Sequence, residues 1–237
     1  MKTTFAHIAR ILSSIIVVVA LMALSLSPLF QPKQSGKWDQ ASMVSKSPSQ
    51  KPFQGGMEWE QFLNVRACAE EYHIDWQLIL AIIKQESQFD TDAVSWCGAQ
   101  GLMQLMPVTN IEVSNELNVA AARLPEENIR AGVYYFSKLL NLFKNAAPED
   151  RYCLALAAYN AGPGRIYDAQ ELAAYFNENP NSWSTIRHLL PLLSKRYYSL
   201  HQLIWKDGRP HNGYFGGGSQ TIAYVGEVMN TFHSSKI

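Results

Sequence analysis

The chain is poor in cysteine. Cys68, Cys97 and Cys153 are the only three in 237 residues. None stands at metal-ligand spacing from another or from a histidine, which argues against a zinc finger or a cysteine-held cluster. His7, His73, His188, His201, His211 and His233 form no ligand motif, and each reads as a surface or capping residue. No metal or cofactor is therefore expected. The thiols read first as buried and free. The alternative, in an oxidising compartment, is one disulfide joining Cys97 to Cys153 or Cys68, with one thiol left over. Net charge is also lacking: 20 basic residues balance 20 acidic ones. The balance is uneven along the chain, with six basic residues and one acid in 1–56, leaving 14 basic and 19 acidic residues in 57–237. The acidic part carries no basic stripe, so no nucleic-acid partner is expected. Alternating strand patterns and internal repeats are missing too.

What the chain does have is sharply divided. Lys2 and Arg10 precede an apolar run from Ile11 to Phe30, long enough to span a bilayer. Basic residues before such a run keep the N-terminus in the cytoplasm. Residues 1–30 are therefore expected to be a transmembrane anchor or a signal helix. Ser25-Leu26-Ser27 followed by Pro28 is a poor cleavage site, so the anchor is favoured over a cleaved signal peptide. No cysteine follows the run, which argues against a lipid-anchored N-terminus. Residues 31–56 are rich in Gln, Ser, Lys, Pro and Gly without apolar period, and read as a flexible linker. Either way residues 57–237 are expected on the far side of the membrane as one domain.

That domain reads as all-α. Helices are expected over Trp59–Tyr72, Trp76–Ser87, one or two across Gly101–Leu117 broken at Pro107, Glu127–Lys144, Asp150–Ala161, Arg165–Phe176, Ser182–Leu190, Lys195–Ile204 and Ser219–Thr231. Ile129, Val133, Phe136, Leu139, Leu140 and Phe143 mark one inner face. Gly162 reads as the residue just past a helix end, and Lys206–Gly218 as a loop.

Glu86 is the most informative residue. Its helix starts after the capping Asp75 and carries Leu78, Ile79, Leu80, Ile82 and Ile83, so little polar face remains and the helix should be buried. A carboxyl in the last turn of such a helix is disfavoured as an anion by the helix dipole and by desolvation. It should hold its proton near neutral pH, as a general acid must. A solvated Glu on a fraying helix end is the plainer alternative. Ser87 either bonds near Glu86 or caps the helix end. Glycosidases usually divide their chemistry between two carboxyls, but Asp90 and Asp92 read as loop or cap residues, and no good second acid is apparent.

Further segments join Glu86-Ser87-Gln88-Phe89-Asp90-Thr91. They are Gly98-Ala99-Gln100-Gly101-Leu102-Met103-Gln104-Leu105-Met106-Pro107, Ala157-Ala158-Tyr159-Asn160-Ala161-Gly162-Pro163-Gly164 and Gln220-Thr221-Ile222-Ala223-Tyr224-Val225. In this order and spacing, from about Trp59 to Phe232, the chain resembles the lytic transglycosylases, which cleave peptidoglycan on a goose-lysozyme-like (SLT) helical fold. The segments Asn128–Gly132 and Leu190–Tyr198 look most like the catalytic domain of that family's membrane-bound F branch.

The resemblance implies that Glu86 protonates the oxygen between N-acetylmuramic acid and N-acetylglucosamine, with help from the muramic N-acetyl group. The carboxylate then takes the proton of the same sugar's C6 hydroxyl, which closes a 1,6-anhydro ring, and no water is consumed. It further implies substrate-binding roles for Ser95, Met103, Gln104, Tyr159, Asn160 and Tyr224. On their own terms Met103 reads as core, Tyr159-Asn160 as a helix end and Tyr224 as either core or site. Thr91 and Gln220 depart from the family's frequent Pro and Glu. The implied partners are peptidoglycan glycan strands and the inner membrane, with the domain in the periplasm. Two other functions stay open: a lysozyme-like glycan hydrolase, and a non-catalytic peptidoglycan-binding module of an envelope complex.

Overall fold

The computed structural model describes residues 59–119 and 124–234, and within them every regular element is helical. The expected anchor over 1–30 and linker over 31–56 lie outside the described residues. Among the described residues no helix is long and apolar enough to cross a membrane.

The helices are α1 (Trp59–Glu71), α2 (Trp76–Ser87), α3 (Pro107–Leu117), α4 (Pro125–Leu142), α5 (Pro148–Ala161), α6 (Pro163–Tyr175), α7 (Trp183–Leu189), α8 (Tyr198–Ile204) and α9 (Gly218–Ser234). Two short 3-10 turns, Leu190–Leu193 and Lys195–Tyr197, join α7 to α8. Helices α3 to α6 each begin at a proline. Proline suits the first helical position because its missing N–H would be unpaired there and its φ is already helical. Gly101–Gln104, expected as helix, is a turn instead. Gly101 (φ 75°) and Gln104 (φ 45°) are both left-handed there, which no α-helix permits.

The core forms around α5, where Cys153 to Ala158 are buried without interruption. A helix buried on every side needs neighbours all round, and α5 packs against α4, α6, α7 and α9. α2 has the same character. Leu78, Ile79, Ile82 and Ile83 are wholly buried, each contributing about 2 kcal/mol of burial. α2 packs on α1 and α9, and α9 therefore touches both α2 and α5. At its start the Asp75 carboxylate accepts the Gln77 N–H at 3.0 Å. At its end Gln88 (φ 53°) closes the helix by donating its N–H to the Lys84 carbonyl.

Two sequence expectations change here. The three cysteines are free as expected, but Cys97 is exposed while Cys68 and Cys153 are buried. His201 is fully buried rather than superficial. Its Nε2 meets the Leu192 carbonyl at 2.7 Å, and its ring packs against Trp205 and Tyr214.

Candidate active site

The last turn of α2 carries Glu86, partly buried against α9. From α9 the Tyr224 hydroxyl donates to Glu86 Oε1 at 2.6 Å. Burial pushes the Glu86 carboxyl up to about 7, although the Tyr224 hydrogen bond, which favours the anion, pulls it partway back. No charged neighbour among the described residues contributes to that shift. Asp90 and Asp92 are exposed in the following loop, where the Asp90 carboxylate accepts the Asp92 N–H at 2.9 Å. Neither contributes to the Glu86 shift. Ser87 does neither of the two things expected of it. Its hydroxyl donates back into its own helix, to the Ile83 carbonyl at 3.1 Å.

A cavity of about 250 Å³ is lined by residues of the 104–109 segment, by Tyr135 and by the end of α5. Gln104, Tyr159 and Asn160 line it together; Glu86 is not among the lining residues. Tyr159 connects the two. Burial, and next the Glu86 carboxylate charge, push its hydroxyl well above the usual tyrosine range. That hydroxyl donates to the Met103 carbonyl at 2.6 Å. Asn160, exposed one residue further on, accepts the Thr221 hydroxyl at 2.8 Å.

The segment before α3 is shaped by turns that need left-handed residues. Antiparallel bridges pair Val94 with Gln100 and Gln100 with Leu105. The Gln104 amide donates to the carbonyls of Ala93 and Gly101, both at 2.9 Å, so this polar side chain fastens the loop while facing the cavity. Met103 takes the core position: its side chain is 0% exposed and does not line the cavity. A Cβ on Gly132 would collide with the Met103 side chain, so only glycine fits opposite it on α4. Ser95 has a local role. Its hydroxyl accepts the Ala99 N–H at 2.9 Å, and it does not reach the cavity lining.

Asn128, named in the sequence only as the start of a family-like segment, shapes the site. It is 1% exposed on α4. Its Oδ1 accepts the Met103 N–H at 2.9 Å and its Nδ2 donates to the Gln100 carbonyl at 3.0 Å. A Cβ on Gly101 would stand 2.6 Å from the same side chain. A polar amide among the apolar positions of α4 is the signal that could have found it, because a buried amide needs partners. Thr221 was likewise missed; it is buried three residues before Tyr224. The loop before α9 is held by α6: the buried Asp168 carboxylate accepts the Asn212 N–H and side-chain amide, and Arg165 donates to the Gly213 carbonyl. Among the described residues no three His, Cys, Asp or Glu side chains come together to hold a metal ion.

Known proteins share the sequence of much of this helical domain. Residues 64–181 carry a transglycosylase SLT domain, by their match to the family model of that description. Among its relatives, the membrane-bound lytic murein transglycosylase F of Desulfosudis oleivorans is 42% identical over 135 residues, covering 56% of this chain and 29% of that protein. The protein of the same name from Saccharophagus degradans is 36% identical over 181 residues, covering 75% of this chain and 32% of its own length. The chain thus spans about a third or less of these relatives. A solved structure, the 70 kDa soluble lytic transglycosylase of Escherichia coli, aligns with 74% of this chain and 23% of its own, at 22% identity and a TM-score of 0.49.

Proposed function

We propose that this chain is a peptidoglycan lytic transglycosylase that uses Glu86 as its only acid and base. The protonated carboxyl gives its proton to the glycosidic oxygen between N-acetylmuramic acid and N-acetylglucosamine as the C1–O bond breaks. The neighbouring acetamido oxygen bonds to C1 and holds the developing charge. Glu86, now a carboxylate, removes the C6 hydroxyl proton, and O6 displaces the acetamido oxygen from C1. The product is a 1,6-anhydromuramoyl end, and Glu86 ends protonated as it began.

The observation that carries this reading is one carboxyl pushed up to about 7 and held by a tyrosine hydroxyl, with no other carboxylate among the described residues contributing to its shift. A group that serves as acid and then base works best with a pKa near the working pH. An inverting hydrolase would need a second carboxylate to activate water. Tyr159, Asn160 and Gln104 would contact the sugar from the cavity wall, with Tyr224 orienting the acid. The names of the relatives and the apolar run before the domain support a position at the inner membrane, with the catalytic domain in the periplasm and glycan strands as substrate.

Digestion of purified sacculi followed by mass spectrometry of the fragments tests the reading. Anhydromuramoyl ends are expected. Reducing muramoyl ends would make the protein a hydrolase, and a wall left uncut would leave it a binding module.

A further inference from the structure

α9 presents two hydroxyls to the site, one turn apart. Tyr224 serves Glu86, and Thr221 serves Asn160. Thr221 is 1% exposed, and its own backbone N–H is already spent on the Gly217 carbonyl at 3.0 Å. Its hydroxyl proton goes to Asn160 Oδ1. An amide whose oxygen is taken by a fixed donor has a defined orientation, with its two Nδ2 protons directed elsewhere. Asn160 is exposed and lines the cavity, so those protons are available to a ligand.

We propose that Thr221 is a positioning residue: it locks the Asn160 amide so that the cavity meets an N–H donor rather than a carbonyl. The ligand group that fits is an acceptor oxygen, such as the carbonyl of a sugar acetamido group. Without the Thr221 hydroxyl the amide can turn over and present its oxygen to that acceptor, which repels it. This inference rests on the function proposed above, because it assigns Asn160 to the glycan.

The two hydroxyls of α9 then have separable signatures. Tyr224 touches the group that titrates, so its loss moves the pH profile. Thr221 touches only an uncharged amide, so its loss weakens substrate binding and leaves the profile in place.

The test is a double-mutant cycle of Thr221→Val and Asn160→Ala, read by steady-state kinetics on soluble peptidoglycan fragments. The same cycle is read by calorimetric titration of an N-acetylglucosamine oligomer onto Glu86→Gln protein. Thr221→Val should raise KM and Kd by roughly three- to tenfold, the size expected for one lost hydrogen bond, with kcat within about twofold of wild type. Thr221→Ser should restore binding. Thr221→Val should add nothing in the Asn160→Ala background, and the pH limb should stay where it is. An equal loss in both backgrounds, a serine variant as weak as valine, or a moved limb would overturn the assignment. Should circular dichroism show Thr221→Val unfolded, the cycle is read on Thr221→Ala. A wild-type protein without turnover would sink the proposed function, while the titration on Glu86→Gln protein still decides the role of Thr221.

Discussion

The Tyr224 hydroxyl meets Glu86 Oε1 at 2.6 Å across 138 positions of sequence. Two opposed effects act on the carboxyl at that point. Desolvation by the α2–α9 packing favours the neutral acid, and the tyrosine hydrogen bond favours the anion. The first is larger, so the carboxyl sits at about 7 instead of 4.5. Near neutral pH Glu86 can then hold its proton and also give it up, as a group that serves first as acid and then as base must.

Removing the weaker effect should move the balance further. In Tyr224→Phe the hydrogen bond that lowers the Glu86 pKa is gone, so the carboxyl should hold its proton to higher pH. The alkaline limb of kcat/KM shifts upward. The rate at its optimum should fall by roughly tenfold through lost orientation of the acid. A pH profile of the variant measures both, and a limb that stays put or moves down would contradict the hydrogen bond's part in setting the pKa.

The same shift has a consequence for stability. Glu86 is raised on folding, so between about 4.5 and 7 the folded protein holds a proton that the unfolded chain has released. Its contribution is fully present below 4.5 and is lost as pH rises through 7. At 1.36 kcal/mol per pKa unit the loss is at most about 3 kcal/mol. Glu86→Gln carries no charge to desolvate and keeps an acceptor for Tyr224. It should melt above wild type at pH 8 and level with it at pH 4.5. Scanning calorimetry at the two pH values checks this, and equal melting temperatures at pH 8 would argue against a desolvated carboxyl.

Asn128 offers a structural prediction. Asn128→Ala strips partners from the Met103 N–H and the Gln100 carbonyl, two backbone groups in the turn that carries Gln104. Leaving them unpaired should cost about 2–4 kcal/mol. Urea unfolding measures the loss. Activity should fall with it, because the Met103 carbonyl also accepts the Tyr159 hydroxyl.

Much of this was readable from the chain. α2 was legible to the residue at both ends, because an Asp cap and a continuous apolar run leave no other solution. The family resemblance named Tyr159, Asn160 and Gln104 for substrate binding, and all three line one cavity. Periodicity alone did not single them out. The helices expected from Glu127, Asp150 and Arg165 begin two residues earlier, at Pro125, Pro148 and Pro163, because proline fits the first helical position although apolar period does not mark it. Met103 went to the core and Ser95 to a local turn, since loop geometry between Ala93 and Pro107 depends on left-handed residues and on Asn128 from a distant helix. The Thr221–Asn160 bond joins residues 61 apart, and no local pattern announces it.

Isotope labelling tests the single-carboxyl mechanism most directly. Sacculi digested by the wild-type protein in water enriched in oxygen-18 should yield muramoyl ends with no label, because O6 of the sugar itself closes the ring. Incorporation of one oxygen-18 at each new end would mean that water is the nucleophile, and Glu86 would then need a partner base that the proposed chemistry does not include.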